Sequence, residues 1–280
     1  MTSRPSSRLS PILIPMTALL VSATLSAPAL AQSAEHAPQV AAQTAAQSAT
    51  QLGAGVWFRP VYAGSDESLL ALIPLIRYYG SPWFVRTTQG MLEGGAQMAL
   101  TKGITLGGQI AYEGGRDSEA SDFLKRHKLA SIPVSASLGV HAEWDTNLGP
   151  APVNVLLRYR QEAKSERGAQ TDLRATIGIY GGDNLKLGLF AQTTWANAKS
   201  NQAYYGITTA QAASTGLAAY SSAAGMTNSA AGLLWSYDLS AQWLLQGSVE
   251  SRQFSTQLRN SPLTQVRNNS YASAGLAYRF

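Results

Sequence analysis

From Gln51 to Phe280 apolar residues recur at every second position in short runs. The last run shows this best. Ala272, Ala274, Leu276, Tyr278 and Phe280 alternate with Tyr271, Ser273, Gly275, Ala277 and Arg279. The same alternation runs through 243–249, 134–142 and 153–159. Neighbouring residues of a strand point to opposite faces, so a period of two makes one apolar and one polar face, whereas a helical period of 3.6 would smear both. Runs of this kind begin near residues 52, 69, 82, 91, 103, 132, 152, 171, 185, 226, 241 and 270, which predicts twelve strands.

The connections sharpen the prediction, because they alternate in length. Short ones hold turn formers: Gly80-Ser81-Pro82, Thr101-Lys102-Gly103, 147–150, Gly182-Asp183-Asn184 and Asp238-Leu239-Ser240. Longer ones lie between them at 114–131, 164–170, 197–226 and 252–269, while those near Gly64 and Gln89 break the pattern by being short. Short turns at one end and long loops at the other describe an up-and-down transmembrane barrel with periplasmic turns and outer loops. The predicted fold is therefore all-β, an antiparallel barrel of about 12 strands over 51–280. An even strand count puts both termini on the periplasmic side.

Aromatic residues near run ends read as rings at the headgroup level: Trp57, Tyr62, Tyr78, Tyr79, Trp83, Tyr112, Trp144, Tyr159, Trp195, Trp235, Tyr237 and Trp243. The Tyr278 and Phe280 ending is an amphipathic edge strand suited to pairing with the barrel assembly machinery.

Composition agrees. Only 13% of the residues are charged and 45% are apolar, about half the charge of a soluble domain. Past residue 31 there is no apolar run of the roughly 18 residues that a membrane helix needs. Residues 1–31 read as a secretory signal peptide: Arg4 and Arg8, an apolar stretch from Ile12 to Leu25, then Ala29-Leu30-Ala31. Residues 32–50 form an Ala/Gln-rich periplasmic tail with Val40 as its one bulky aliphatic residue, too apolar-poor to bury a core. Export and a barrel together place the chain in the outer membrane of a Gram-negative bacterium, in contact with its lipids. Without Arg4 and Arg8 the chain keeps 19 basic against 16 acidic residues, scattered singly, so the formal +5 does not point to nucleic acid. There is no cysteine, which excludes disulfides and thiolate chemistry.

Catalytic motifs are missing: no G-x-S-x-G, H-E-x-x-H or Walker sequence occurs. His36 falls in the tail and His127 among Lys125, Arg126 and Lys128, where a metal would be repelled. His141 stands on the polar face with Glu143 and Asp145 and reads as part of a hydrogen-bond network. No enzyme, metal or cofactor is expected. The polar face carries both signs of charge, with Arg59, Arg158, Arg160 and Arg174 as lumen candidates beside Arg86, Glu93, Glu113, Asp172 and Glu250. Mixed signs favour a structural ion network over a selective pore, and 114–131 reads as a solvated outer loop. In the 197–226 loop, Thr208 with Gln211 forms a capping box and Gly216 a helix stop, predicting a short helix. Tyr204, Tyr205 and Tyr220 would anchor it to the rim with their hydroxyls wet.

At these residues the chain resembles the MltA-interacting protein family (MipA/OmpV). The matching pieces are 60–66 (PVYAGSD), 204–217 with Tyr220, Ser261-Pro262-Leu263, and the 275–280 ending. The resemblance implies a barrel that acts as a scaffold between a membrane-bound lytic transglycosylase and a bifunctional penicillin-binding protein, and it brings no catalytic residues. The alternative is a porin-like channel whose arginines favour anions.

Overall fold

The computed structural model describes residues 50–280. The signal peptide expected at 1–31 and the tail expected at 32–50, Thr50 apart, lie outside the described residues. Twelve antiparallel strands close into one barrel, each paired with its chain neighbours and the first with the last. They are β1 (Gln51–Pro60), β2 (Ser68–Tyr79), β3 (Trp83–Thr88), β4 (Met91–Thr101), β5 (Ile104–Glu113), β6 (Ser135–Leu148), β7 (Ala151–Glu162), β8 (Ala169–Gly181), β9 (Leu185–Ala196), β10 (Gly225–Asp238), β11 (Trp243–Phe254) and β12 (Asn268–Arg279). The seam between β1 and β12 pairs Gln51 with Arg279 and Phe58 with Ala272.

Register turns the period of two into an inside and an outside. Leu70, Leu72, Ile110, Leu138, Val140, Leu157, Leu173 and Val249 are exposed on the outer face, whereas Glu93, Arg158, Arg160 and Asp172 are buried on the inner one. This inversion suits strands whose outer solvent is hydrocarbon, where a closed ladder satisfies the backbone groups that lipid cannot. Among the described residues no helix is long and apolar enough to cross a membrane.

Five tight turns, at 80–82, 102–103, 149–150, 182–184 and 239–242, share the barrel end that holds β1's start and β12's finish. Outward Tyr78, Trp83, Trp144, Tyr180, Trp243 and Phe280 ring this periplasmic end. Three predicted interfacial rings are not at the lipid. Trp57 faces the lumen and stacks on Tyr271, Tyr79 stacks on lumen-facing Phe84, and Tyr62 is buried in a loop cluster. Parity explains Trp57, because its neighbours Val56 and Phe58 take the outer face.

The other end carries four helices: α1 (Asp122–Arg126), α2 (Ala198–Tyr205), α3 (Thr209–Thr215) and α4 (Thr256–Arg259). The expected helix is α3, and α2 precedes it in the same loop. Ser121, Asn197, Thr208 and Ser255 cap their starts by accepting from backbone amides.

Candidate functional site

The lumen and its outer mouth hold what chemistry the barrel has. Cross-strand registers set a carboxylate against a guanidinium twice, with Arg86 opposite Glu93 and Arg158 opposite Asp172. Arg158 is 2% exposed and bridges the two carboxylates, 2.9 Å from Glu93 Oε2 and 2.9 Å from Asp172 Oδ2. Arg86 Nε donates to Glu93 Oε1 at 2.6 Å and Nη1 donates to Glu143. Arg160 pairs with Glu113 and, at 3.3 Å, with Asp172. Gln109 donates to Glu93 and Thr194 to Asp172, both at 2.8 Å. His141 Nδ1 lies 2.6 Å from Gln109 Oε1, so it carries the proton of that bond. One network thus lines β3 to β9. In a space with little water such charges persist because each has an opposite partner and hydrogen bonds for its remaining lone pairs.

The other two lumen candidates stand apart from this network. Arg174 lies over the Phe190 ring, 4.0 Å from its centroid, with Nη1 unpartnered. Arg59 sits at the outer rim, donates to the carbonyls of Pro60 and Val61, and covers Trp57. Arg252 pairs with Glu250 at 2.7 Å.

A feature announced in the sequence only by the short connection near Gln89 lies within the lumen. The β3–β4 turn is two residues long, with Gln89 at φ 51° and Gly90 at φ 78°, the positive pair that a tight hairpin needs. Instead of reaching the rim, its tip lies inside the barrel. Gln89 donates to Glu250 Oε2 on β11 at 2.9 Å, and Arg160 on β7 reaches Met91 Sδ. A Cβ at Gly90 would stand 2.6 Å from the Trp57 ring, so only glycine lets the tip rest on β1.

Above it the outer loops fold into a cap. Val61, Tyr62, Leu124, Leu129, Ile207 and Leu263, from four different loops, form one buried cluster. Tyr205, Phe254 and Leu258 form a second. The 114–131 segment is therefore not a simple solvated loop: α1 sends Leu124 fully inside, and His127 Nδ1 contacts the carbonyl of Thr215 at 2.9 Å.

In the 197–226 loop, Thr208 Oγ1 accepts from the Gln211 amide at 3.2 Å and Gln211 Oε1 accepts from the Thr208 amide at 2.9 Å. Gly216 takes the left-handed conformation at φ 72°. The tyrosine hydroxyls are not wet as expected. Tyr204 donates to Glu162 Oε1 at 2.6 Å, Tyr220 donates to the Gln257 carbonyl at 2.5 Å, and Tyr205 is 7% exposed. The end of β7 and α4 supply Tyr204 and Tyr220 with the partners that water was expected to give. Burial pushes the Tyr62, Tyr204, Tyr205 and Tyr220 hydroxyls above the usual phenol range, and at Tyr204 the bond to Glu162 adds to it. Burial also lowers the Arg116 guanidinium, which donates to the Tyr204 carbonyl at 3.2 Å. Among the described residues no cluster of His, Asp or Glu could hold a metal ion.

The family described as MltA-interacting protein MipA matches residues 52–280, the barrel and its cap entire. The chain belongs to that family. Barrel fold and family together make it an outer-membrane protein, as the lipid-facing apolar belt requires. Several solved barrels are similar to this member of the family. A NanC porin covers 83% of the chain and is covered in full, at 8% identity and a TM-score of 0.43. The translocator domain of the autotransporter NalP from Neisseria meningitidis covers 88%, with 98% of that domain matched, at 12% identity and 0.46. An outer membrane channel from Pseudomonas putida F1 covers 83%, with 96% of its own chain matched, at 12% identity and 0.42. No curated protein matches the chain by sequence.

Proposed function

We propose that this barrel is a non-enzymatic scaffold whose periplasmic end holds a lytic transglycosylase, and through it a penicillin-binding protein, at the outer membrane. The observation that carries the reading is the double closure of the barrel. A cap with its own apolar core lies over the mouth, and a hairpin tip crosses the lumen below it. A solute path would need both to move. A barrel blocked this way still offers its periplasmic turns, and the family's description names an MltA partner.

Photoreactive side chains at Pro150 and Asp183 in the periplasmic turns test this in cells. Capture of a lytic transglycosylase is the expected result. Capture of nothing from either turn would overturn it.

A second reading, a channel for small anions, draws on Arg174 and Arg59, neither of which has a carboxylate partner among the described residues. Planar-bilayer recording separates the two. The scaffold gives no single-channel steps, and resolved anion-selective steps would make the channel the better account.

A further inference from the structure

The barrel wall is not equally deep all round. β2 pairs with β1 from Ser68 to Arg77 without a break. On its other side it meets β3 only at Arg77, Tyr78 and Tyr79. The cause is the sunken hairpin: β3 has 6 residues against 12 in β2, and its tip turns into the lumen instead of climbing beside β2. From Ser68 to Ile76, roughly 25 Å of strand, β2 therefore has a free edge facing the outer leaflet. Leu72 is 84% exposed and Leu70 71%, and Leu72 is the most exposed of the large apolar residues described. Across the hairpin, β5 presents Ile110, opposite Gly94 of β4, and Tyr112, just past the end of that pairing, outward, both exposed.

Which backbone groups face the opening follows from the alternation of the ladder. The Gly80 amide donates to the Trp83 carbonyl at 2.7 Å, so even-numbered residues of β2 aim their backbone toward β3. Leu70 and Leu72 thus point amide and carbonyl into the notch, and Pro74 points a carbonyl and has no amide to offer. A proline on the open side of an edge strand discourages another strand from pairing there. Unbonded amides at membrane depth call for an occupant with polar groups as well as hydrocarbon.

The roof of the notch carries charge. The 114–134 connection spans it and is tied to β2's start, where the Asp122 amide donates to both carboxylate oxygens of Glu67 at 3.0 and 3.1 Å. From there Arg126 and Lys128 are exposed and unpaired with any carboxylate among the described residues, while Lys125 is held by Asp122.

We propose that this notch binds one phosphorylated glycolipid of the outer leaflet. Its phosphate lies against Arg126 and Lys128, and an acyl chain lies along Leu70, Leu72 and Ile110. Amide and hydroxyl groups near its sugar meet the free backbone of β2. The complementarity is threefold: cations at headgroup height, bare apolar wall beneath, and unbonded donors between.

A photoreactive residue replacing Leu72 tests this in intact outer membranes, with the same probe at Leu157 as the reference for ordinary lipid contact. The expected result is glycolipid adduct at 72 well above that at 157, falling about tenfold in an Arg126→Glu/Lys128→Glu variant. Protease resistance of the cap shows that this variant still folds. Equal yields at the two positions, or a yield at 72 that ignores the charge reversal, would overturn the proposal. So would adducts at 72 consisting of a protein strand or a second copy of the chain.

Discussion

Arg158 has the most demanding surroundings of any side chain in the lumen. It is shared by Glu93 and Asp172, so its removal leaves Glu93 to Arg86 alone and Asp172 to the longer 3.3 Å pairing with Arg160. Removing the only partner of a buried charge costs about 3–5 kcal/mol, and the loss here is smaller because each carboxylate keeps one guanidinium. Arg158→Leu should therefore lower the temperature at which the folded gel band of the barrel converts to the unfolded one. Arg59→Leu, at the rim and bonded only to carbonyls, should leave it nearly unchanged. The cap tyrosines give a second residue-level expectation. Their hydroxyls are raised by burial above the unfolded value of 10.0. A group raised in this way stabilises the fold fully below its unfolded value, and that stability is lost as pH climbs toward the folded one. The cap should thus hold at neutral pH and loosen above about pH 10. Tyrosinate absorbance and proteolysis between Tyr204 and Tyr220 should rise together, and cleavage that does not change with pH would refute the link.

At the scale of elements, α3 depends on its two ends more than on its face. The reciprocal bonds of Thr208 and Gln211 close the start, and Gly216 at φ 72° closes the finish with nothing within 4 Å of where a Cβ would lie. A substitution at Gly216 is therefore opposed by backbone conformation alone, and a β-branched residue is opposed most. Gly216→Val should expose the 204–220 segment to protease on whole cells while the barrel still assembles. Thr208→Ala, which loses one cap bond worth about 1 kcal/mol, should do so more weakly. If the wild type is cut there as readily as Gly216→Val, α3 does not stabilise the cap. The β3–β4 hairpin is the contrasting element: its position rests on Gly90 lying flat against Trp57 rather than on any local helix or turn preference beyond the tight turn itself.

For the whole molecule, closure is the property that matters. The larger apolar cluster of the cap draws on four loops and meets the strands only through Leu69, while the smaller one is anchored on Phe254 of β11. Replacing 198–224 by a short linker should leave heat-modifiable migration intact. The hairpin tip and the three remaining cap loops would still stand over the lumen, and the deleted barrel should remain poorly conducting. Adding Gln89→Ala, which releases the tip from Glu250, should bring measurable conductance. Large steps from the loop deletion alone would show that the tip is no barrier.

The period of two was enough to specify strand number, the inner and outer faces and the periplasmic turns, because a strand's two faces follow from parity with no long-range information. All twelve predicted starts fall within three residues of the observed ones. The α3 ends were legible for the same reason: a capping box and a left-handed glycine are local. The Asn197 cap of α2 was there to be read, but a lone Asn before Ala198 has no second signal beside it. Residue types also announced a lumen of mixed charge, yet not which pairs form, since Arg158 with Glu93 spans 65 positions. The cap core, the bonded tyrosine hydroxyls, the sunken hairpin and the notch beside β2 were decided by tertiary structure alone. Each arises where segments far apart in the chain meet, and the barrel's closure, not any local pattern, sets which segments those are.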